Sequence, residues 1–96
     1  MIKNDFKIEM GNYREDHSIF YSEIEDGRLR RKLTVEVDLI ENIFYYLPIF
    51  RTSIILYVDS FKNWNTFEEL SLYEYTVVLK RIHNFLRKMG YEVVLG

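Results

Sequence analysis

A chain of 96 residues is the size of one domain, and a hydrophobic content of 48% is enough for one modest core. The 13 basic and 15 acidic side chains leave a net charge of −2, which argues against a dedicated binder of nucleic-acid phosphates, because such proteins are usually basic. The chain has no cysteine, which excludes disulfides, thiolate metal sites and thiol catalysis. We expect residues 1–96 to form a single domain.

The first half of the sequence predicts antiparallel strands. Residues 6–10 alternate apolar and charged side chains and are followed by Gly11, as expected of a short half-buried strand. Asp26-Gly27 is then a strong hairpin signal, because a type I′ turn needs a positive φ at both of its central residues.

A two-residue loop at Asp26-Gly27 sets the register of this hairpin. It places Glu25 opposite Arg28 and Glu23 opposite Arg30, so that one face gathers opposed charges worth about 0.2–1 kcal/mol per pair. We expect the other face to pack on the core with the side chains of Phe20, Ile24, Leu29, Leu33, Val35, Val37 and Leu39.

Residues 40–47 fit two structures. Their apolar side chains recur at i, i+3, i+4 and i+7 from Ile40, and Pro48 would end a helix there, although Ile, Phe and Tyr also favour strands. We predict a short helix. The continuous apolar run at residues 54–58 is typical of a strand buried on both faces, and residues 60–65 follow as a polar loop.

The last third of the chain predicts a helix and a strand. Thr66 and Glu69 have the spacing of a capping box, and the apolar period predicts a helix over residues 67–89. Gly90 is the left-handed residue expected after its end, and residues 91–95 form a final strand.

These elements predict an α+β fold of two layers. The sheet is expected to be mixed, with four to five strands that comprise an antiparallel meander and a C-terminal βαβ unit, and to pack against one long helix.

No segment resembles a membrane span or a targeting signal. The longest near-apolar run, residues 43–50, is interrupted by Pro48 and is far shorter than the roughly 20 residues needed to cross a bilayer. The polar start of the chain has no hydrophobic signal region. We therefore expect a cytoplasmic protein with no membrane partner.

Motifs for metals, cofactors and nucleophiles are missing from the sequence. His17 and His83 stand apart, and neither belongs to an HExxH or similar ligand motif. The 4 glycines are isolated, so there is no phosphate-binding loop or dinucleotide fingerprint, and no G-x-S-x-G motif occurs. We expect no metal, no cofactor and no catalytic residue, and hence a protein that is not an enzyme.

One alternative is a small metal-dependent hydrolase centred on Asp59. This carboxylate follows a buried strand and precedes a helix, which is where sheets with parallel strands bind ligands, so it could hold a metal or act as a base. A single acid makes no acid/base pair, however. The simpler interpretation is that Asp59 forms an Asx turn at the strand end while Trp64 covers the core.

A second alternative is a single-stranded nucleic-acid-binding protein, because basic residues stand among many aromatic ones. The basic group after the turn consists of Arg28, Arg30, Arg31 and Lys32. Glu23 and Glu25 are expected to neutralise it, so a salt-bridged face is favoured and nucleic acid is not the expected partner. Arg31 is expected on the apolar face near the hairpin tip, with no special role.

Protein recognition is the leading hypothesis, because large aromatic side chains are numerous for one small core. Tyr45 and Tyr46 would lie outside the apolar stripe of the predicted helix, and Trp64 and Tyr73 are expected to be partly exposed. Tyr45, Tyr46 and Trp64 would anchor a protein partner. The opposed charges of the hairpin, Glu23, Glu25, Arg28 and Arg30, would set specificity and association rate.

This hypothesis describes an inhibitor of a partner protein, of the immunity-protein or antitoxin type, that acts by covering the partner's surface. It rests on small size and on the elimination of other classes, and the simpler possibility that the aromatic residues are all core stays open. A homodimer is compatible with it, because the strands at residues 6–10 and 91–95 can leave an open sheet edge.

Overall fold

Five strands and one long helix make up the fold in the computed structural model, which describes residues 4–11, 18–43 and 50–96. In chain order the elements are β1 (Asn4–Met10), β2 (Ser18–Glu25), β3 (Arg28–Ile43), β4 (Phe50–Leu56), a 3-10 turn (Val58–Ser60), α1 (Leu72–Lys88) and β5 (Glu92–Leu95). These described strands form one sheet in the order β1-β2-β3-β4-β5, in which β4 and β5 are parallel and the other neighbours are antiparallel. The predicted α+β fold, with its meander and its strand–helix–strand unit, is confirmed.

The central strand β3 pairs with two different strands along its length. Residues 28–36 pair with β2, and residues 37–43 pair with β4. The first half of β3 therefore has β2 on one side only, and its other side is covered by the segment that follows β4.

Four hydrogen bonds fix that segment to β3. Backbone N–H groups of Tyr57 and Asn65 donate to the carbonyls of Glu36 (3.1 Å) and Lys32 (2.8 Å). The Glu36 N–H donates to Ser60 Oγ (3.0 Å), and the Lys32 N–H donates to Asn65 Oδ1 (2.9 Å). Backbone and side-chain groups thus alternate in forming hydrogen bonds to a strand edge that, in the part of the chain that the structure describes, has no strand beside it.

The core lies between one face of the sheet and α1. Its buried side chains come from every layer of the fold and are Ile19, Tyr21, Leu33, Val35, Val37, Ile54, Leu56, Phe61, Trp64, Val78, Ile82 and Leu86. The faces of β3 and α1 predicted to pack on the core are confirmed by the buried side chains of Leu33, Val35 and Val37 in β3 and of Val78, Ile82 and Leu86 in α1.

The hairpin turn is confirmed, but its register is only partly as predicted. Asp26 and Gly27 have φ values of +51° and +75°, and Glu25 lies opposite Arg28. The register then shifts at a β-bulge, so that Glu23 lies opposite Arg31 and not opposite Arg30. The expected Glu23–Arg30 pair is therefore wrong.

The bulge also reverses the face of β2 that packs on the core. Ile19 and Tyr21 are fully buried, whereas Phe20 and Ile24 are only half-buried and Leu29, near the turn, is exposed. The expected inward face of β2 is wrong, because a shift of one residue moves every side chain of a strand to the opposite face. Sequence indicates the turn but not the extra residue.

The helix predicted over residues 40–47 is wrong where it can be compared. Residues 40–43 continue β3 and pair with β4 as far as Ile43 and Phe50, and residues 44–47 lie outside the described residues. Pairing with a neighbouring strand decides the structure here, against a local helical spacing.

The helix α1 begins later than predicted. Its capping box is formed by Ser71 and Glu74, in which the Glu74 N–H donates to Ser71 Oγ (3.1 Å) and the Ser71 N–H donates to Glu74 Oε1 (3.0 Å). The box predicted at Thr66 and Glu69 is wrong because the chain turns back there, with Phe67 at a φ of +67°. The same S/T-x-x-E spacing occurs at both places.

The end of α1 and the last strand follow the prediction. Gly90 has a φ of +93°, which is the left-handed conformation expected after a helix, and β5 runs parallel to β4. Among the described residues, no helix is long and apolar enough to span a membrane.

Candidate functional site

The hairpin bulge brings Glu23 and Arg31 together on the face that α1 covers. Arg31 Nε donates a hydrogen bond to Glu23 Oε1, and the two side chains are only 14% and 17% exposed. Arg31 Nη1 also forms an ion pair with Oε2 of Glu74, in the first turn of α1. Arg31 therefore connects the hairpin to the start of the helix.

A second arginine completes this cluster. Arg81 Nη1 donates to the Tyr21 hydroxyl at 2.6 Å and lies 3.7 Å from Glu23 Oε2. The same hydroxyl donates to Glu23 Oε2 at 3.1 Å. We call Tyr21, Glu23, Arg31, Glu74 and Arg81 the arginine network; its two cations and two anions balance.

Aromatic rings pack against the arginines of this network and extend its contacts across the sheet. The Arg31 guanidinium lies 3.8 Å from the centre of the Trp64 ring, and the Arg81 guanidinium lies 4.4 Å from the centre of the Phe6 ring. The Tyr21 ring stands between them, 6.0 Å from each aromatic ring. Cation–π and ring contacts thus join β1, β2, β3, α1 and the loop that carries Trp64.

The electrostatics of the network favour fixed charges. A backbone hydrogen bond from Ser71 lowers the pKa of Glu74, and the charge of Arg31 lowers that pKa further. Burial alone would lower the pKa of Arg31, but its bonds to Glu23 and Glu74 raise that pKa overall. Burial raises the pKa of Tyr21. These three groups keep their ordinary protonation states at neutral pH, so the network is suited to holding elements together and not to proton transfer.

The loop between the 3-10 turn and α1, together with the first turn of α1, exposes large apolar side chains. Phe67, Leu72 and Tyr73, which we call the Phe67 patch, are 89%, 83% and 79% exposed. Phe67 also has a positive φ, a conformation that bulky residues rarely adopt and that costs about 1–3 kcal/mol. The exposure of Tyr73 agrees with the prediction.

The patch is held on a well-anchored loop. The buried Trp64 ring lies under Arg31, the Trp64 backbone N–H donates to the Glu68 carbonyl (2.9 Å), and the Trp64 carbonyl accepts from the Phe67 backbone N–H (2.9 Å). With the paired bonds of Asn65 to β3, these contacts fix both the backbone and the direction of the loop. The structure therefore presents the Phe67 ring to solvent on a supported turn.

Of the three aromatic side chains predicted to anchor a protein partner, the structure describes one, Trp64. Tyr45 and Tyr46 lie outside the described residues. The expectation that Trp64 is partly exposed is wrong: Trp64 is buried, because Arg31 covers its ring and Tyr21 packs beside it.

The predicted charged face of the hairpin divides into two parts. Glu23 lies in the arginine network and points toward α1, where a partner could reach it only with difficulty. Glu25, Arg28 and Arg30 stay near the tip, where Arg30 Nε lies 3.8 Å from Glu25 Oε2. The structure does not bring these residues together with Trp64 into one exposed surface.

Sequence reasoning missed Arg31 and Phe67. A signal for Arg31 was present, since an arginine on an apolar strand face needs a buried partner, but the partner depends on the bulge. Phe67 gave no signal, because phenylalanine is not a residue type that favours positive φ.

Asp59, the centre of the hydrolase alternative, lies exposed in the 3-10 turn. It lines a shallow depression with Ser18, Thr34, Glu36, Tyr57, Ser60 and Lys62. The turn is held by Ser60, whose hydroxyl donates to the Tyr57 carbonyl at 2.6 Å. Within residues 4–11, 18–43 and 50–96, no group of three or more His, Asp or Glu side chains is placed to hold a metal ion.

The basic group behind the nucleic-acid alternative is partly neutralised. Arg31 is enclosed in ion pairs with Glu23 and Glu74, and Arg30 lies near Glu25. Lys32 is exposed on the opposite face, 4.9 Å from the centre of the Phe20 ring. These side chains point to different faces, which does not favour a continuous track for a phosphate backbone.

No family model, no curated protein and no solved structure matches the chain.

Proposed function

We propose that the protein is a non-enzymatic protein-binding module: an inhibitor of a cytoplasmic partner protein, of the immunity-protein or antitoxin type, that acts by covering its partner's surface. The observation that carries this proposal is Phe67, a bulky residue whose ring is almost fully exposed although its backbone is strained. Such strain persists where the surrounding structure enforces it, and it is concentrated at functional sites.

The rest of the patch supports a docking role. Leu72 and Tyr73 lie in the first turn of α1, directly after the Phe67 loop, so three large side chains project from one short stretch of chain. Grouped exposed apolar side chains mark interaction surfaces, and Tyr is one of the residue types enriched in interface hot spots. A supported loop also loses little conformational freedom on binding, which favours affinity.

The charges around the patch indicate the chemistry of the partner. Glu68 and Glu69 are exposed next to Phe67, and neither forms an ion pair among the described residues. A complementary surface has an apolar pocket for the Phe67 ring and a rim of Lys or Arg side chains. Such a rim speeds association, and its effect falls as salt is added.

The charges at the hairpin tip, Glu25, Arg28 and Arg30, remain candidates for a second contact region, and so do Tyr45 and Tyr46. The Phe67 patch differs from them in combining strain, exposure and support.

The test is a comparison of the wild type with the double variant Phe67→Ala/Tyr73→Ala. Tagged protein is used to recover partners from the native cell, and the recovered partner is then purified and titrated. We expect the double variant to bind this partner about tenfold more weakly or worse, and the wild type to block the partner's activity.

The matched control is Met89→Ala, which removes an exposed apolar side chain at the far end of α1. It should bind as the wild type does, and all three proteins should melt at similar temperatures. If the partner binds the double variant as tightly as the wild type, the patch is not the docking surface. If binding leaves the partner's activity intact, the inhibitor function is wrong.

A further inference from the structure

We propose that two copies of the chain pair edge to edge along β5, in antiparallel register about a twofold axis at Val94. The proposal is independent of the Phe67 patch and goes beyond the proposed function.

Two of the sheet's open edges are protected. On β1 the side chains of Asp5, Lys7 and Glu9 are all exposed and charged, which discourages pairing with another strand. The uncovered side of β3 is closed by hydrogen bonds from Tyr57, Ser60 and Asn65, as described above.

The β5 edge has neither protection. Among the described residues β5 pairs only with β4, and its charged residue, Glu92, stands at its start. Val94 and Leu95 are 46% and 55% exposed, although both are apolar and the first is β-branched. A strand of this composition with a free edge is a template for pairing.

Backbone geometry shows which groups of β5 are free to pair. The Gly96 N–H donates to the Leu56 carbonyl (2.9 Å), and the Gly96 carbonyl accepts from the Val58 N–H (3.3 Å). Gly96 therefore faces the β4 side. Because backbone groups alternate in direction along a strand, the N–H and carbonyl groups of Val93 and Leu95 point outward.

These outward groups match those of a second copy. In an antiparallel pair, Val93 of one copy and Leu95 of the other exchange two hydrogen bonds, and the twofold axis repeats the exchange to give four. Val94 then lies opposite Val94 of the second copy, a favourable β-branched pair, and Glu92 lies opposite Gly96. In this register the side chains of Val93, Val94 and Leu95 in each copy face only apolar side chains of the other copy.

A pair of such short strands buries less than the roughly 800 Å² per partner of a standard interface. We therefore expect a weak dimer that forms as concentration rises, with a continuous sheet of ten strands.

The test uses single cysteines, because the chain has none of its own. In the proposed register the Val94 Cα atoms of the two copies lie about 4.5 Å apart, within the range that a disulfide spans. Val94→Cys should therefore form a disulfide-linked dimer under mild oxidation. The matched control Glu92→Cys, exposed on the same strand, would place its two cysteines about 13 Å apart along the strand direction and should cross-link at the rate of random collision.

Sedimentation gives a second measurement on the unmodified chain. From about 10 μM to about 1 mM, the average mass of the wild type should rise toward that of a dimer, and Val94→Lys should remain a monomer with an unchanged melting temperature. The double variant Phe67→Ala/Tyr73→Ala should associate as the wild type does. A wild type that stays monomeric over this range would overturn the proposal, and so would equal cross-linking rates for the two cysteine variants.

Discussion

The guanidinium of Arg31, in the hairpin, lies 3.8 Å from the centre of the Trp64 ring and covers it. Trp64 belongs to the loop that carries Phe67. Arg31 also binds Glu74, which caps α1. One side chain thus fixes both ends of the segment that carries the Phe67 patch.

Replacing Arg31 with Met should destabilise the fold by about 2 kcal/mol, somewhat less than the loss of a fully buried ion pair. The change leaves the carboxylates of Glu23 and Glu74 without their shared cation and removes the cation–π contact. Urea unfolding measures the effect. The matched variant Arg30→Met, one residue away on the exposed bulge, should change stability by less than about 0.5 kcal/mol. Equal losses in the two variants would contradict the assigned role of Arg31.

The stability of the protein should fall in acid, partly through Glu74. Its pKa is lowered from the usual value near 4.5, so the unfolded chain binds its proton more readily than the folded one. The contribution of Glu74 is therefore complete above that value and is lost as pH falls through the lower pKa of the folded state. Unfolding free energies measured between about pH 7 and pH 3 should decline less steeply for Glu74→Gln than for the wild type. Parallel declines would remove Glu74 from this account.

The position of the helix start can be tested by removing each candidate cap. Ser71→Ala should cost about 1 kcal/mol, because the first turn loses a hydrogen bond to its backbone. Thr66→Ala, which alters the other S/T-x-x-E sequence, should cost less than about 0.5 kcal/mol, since Thr66 is exposed in the loop. The reverse order of losses in thermal unfolding would place the start of α1 at the earlier box.

Phe67→Gly should stabilise the protein and weaken partner binding at the same time. Glycine adopts a positive φ without strain, and the ring that is lost is almost fully exposed, so we expect a gain of about 0.5–1 kcal/mol after allowing for the greater freedom of glycine in the unfolded chain. Phe67→Ala removes the ring but keeps a side chain at the strained position, so it should weaken binding without the gain. A Phe67→Gly variant no more stable than Phe67→Ala would show that the strain is absent.

The local backbone conformation could be predicted from the sequence wherever one short motif determines it. Asp26-Gly27 specifies its turn, and Gly90 specifies the stop after α1, because positive φ restricts the choice of residue at both places. Arg31 and Phe67 depend on contacts far along the chain, so neither could be placed by spacing alone. The start of α1 had two identical signals, and only the bend at Phe67 chooses between them.

The register of β2 shows a different limit. Both registers bury a consistent apolar set, Phe20 and Ile24 in one and Ile19 and Tyr21 in the other. The bulge is favoured because Tyr21 can pack against Trp64 while its hydroxyl bonds to Arg81 and Glu23. That arrangement involves three elements, and a sequence pattern confined to one hairpin does not contain it.

The length of β3 has a consequence for how the molecule opens. Its two halves, 28–36 and 37–43, have different strand partners, so one half can exchange its amide protons while the ladder on the other half stays closed. At the junction, Glu36 is tied on the far side by Tyr57 and Ser60. Together with the bonds between Asn65 and Lys32 and the ion pair between Arg31 and Glu74, these bonds join the two halves of the sheet, and their release would loosen the first half of β3 while β4 and β5 stay paired.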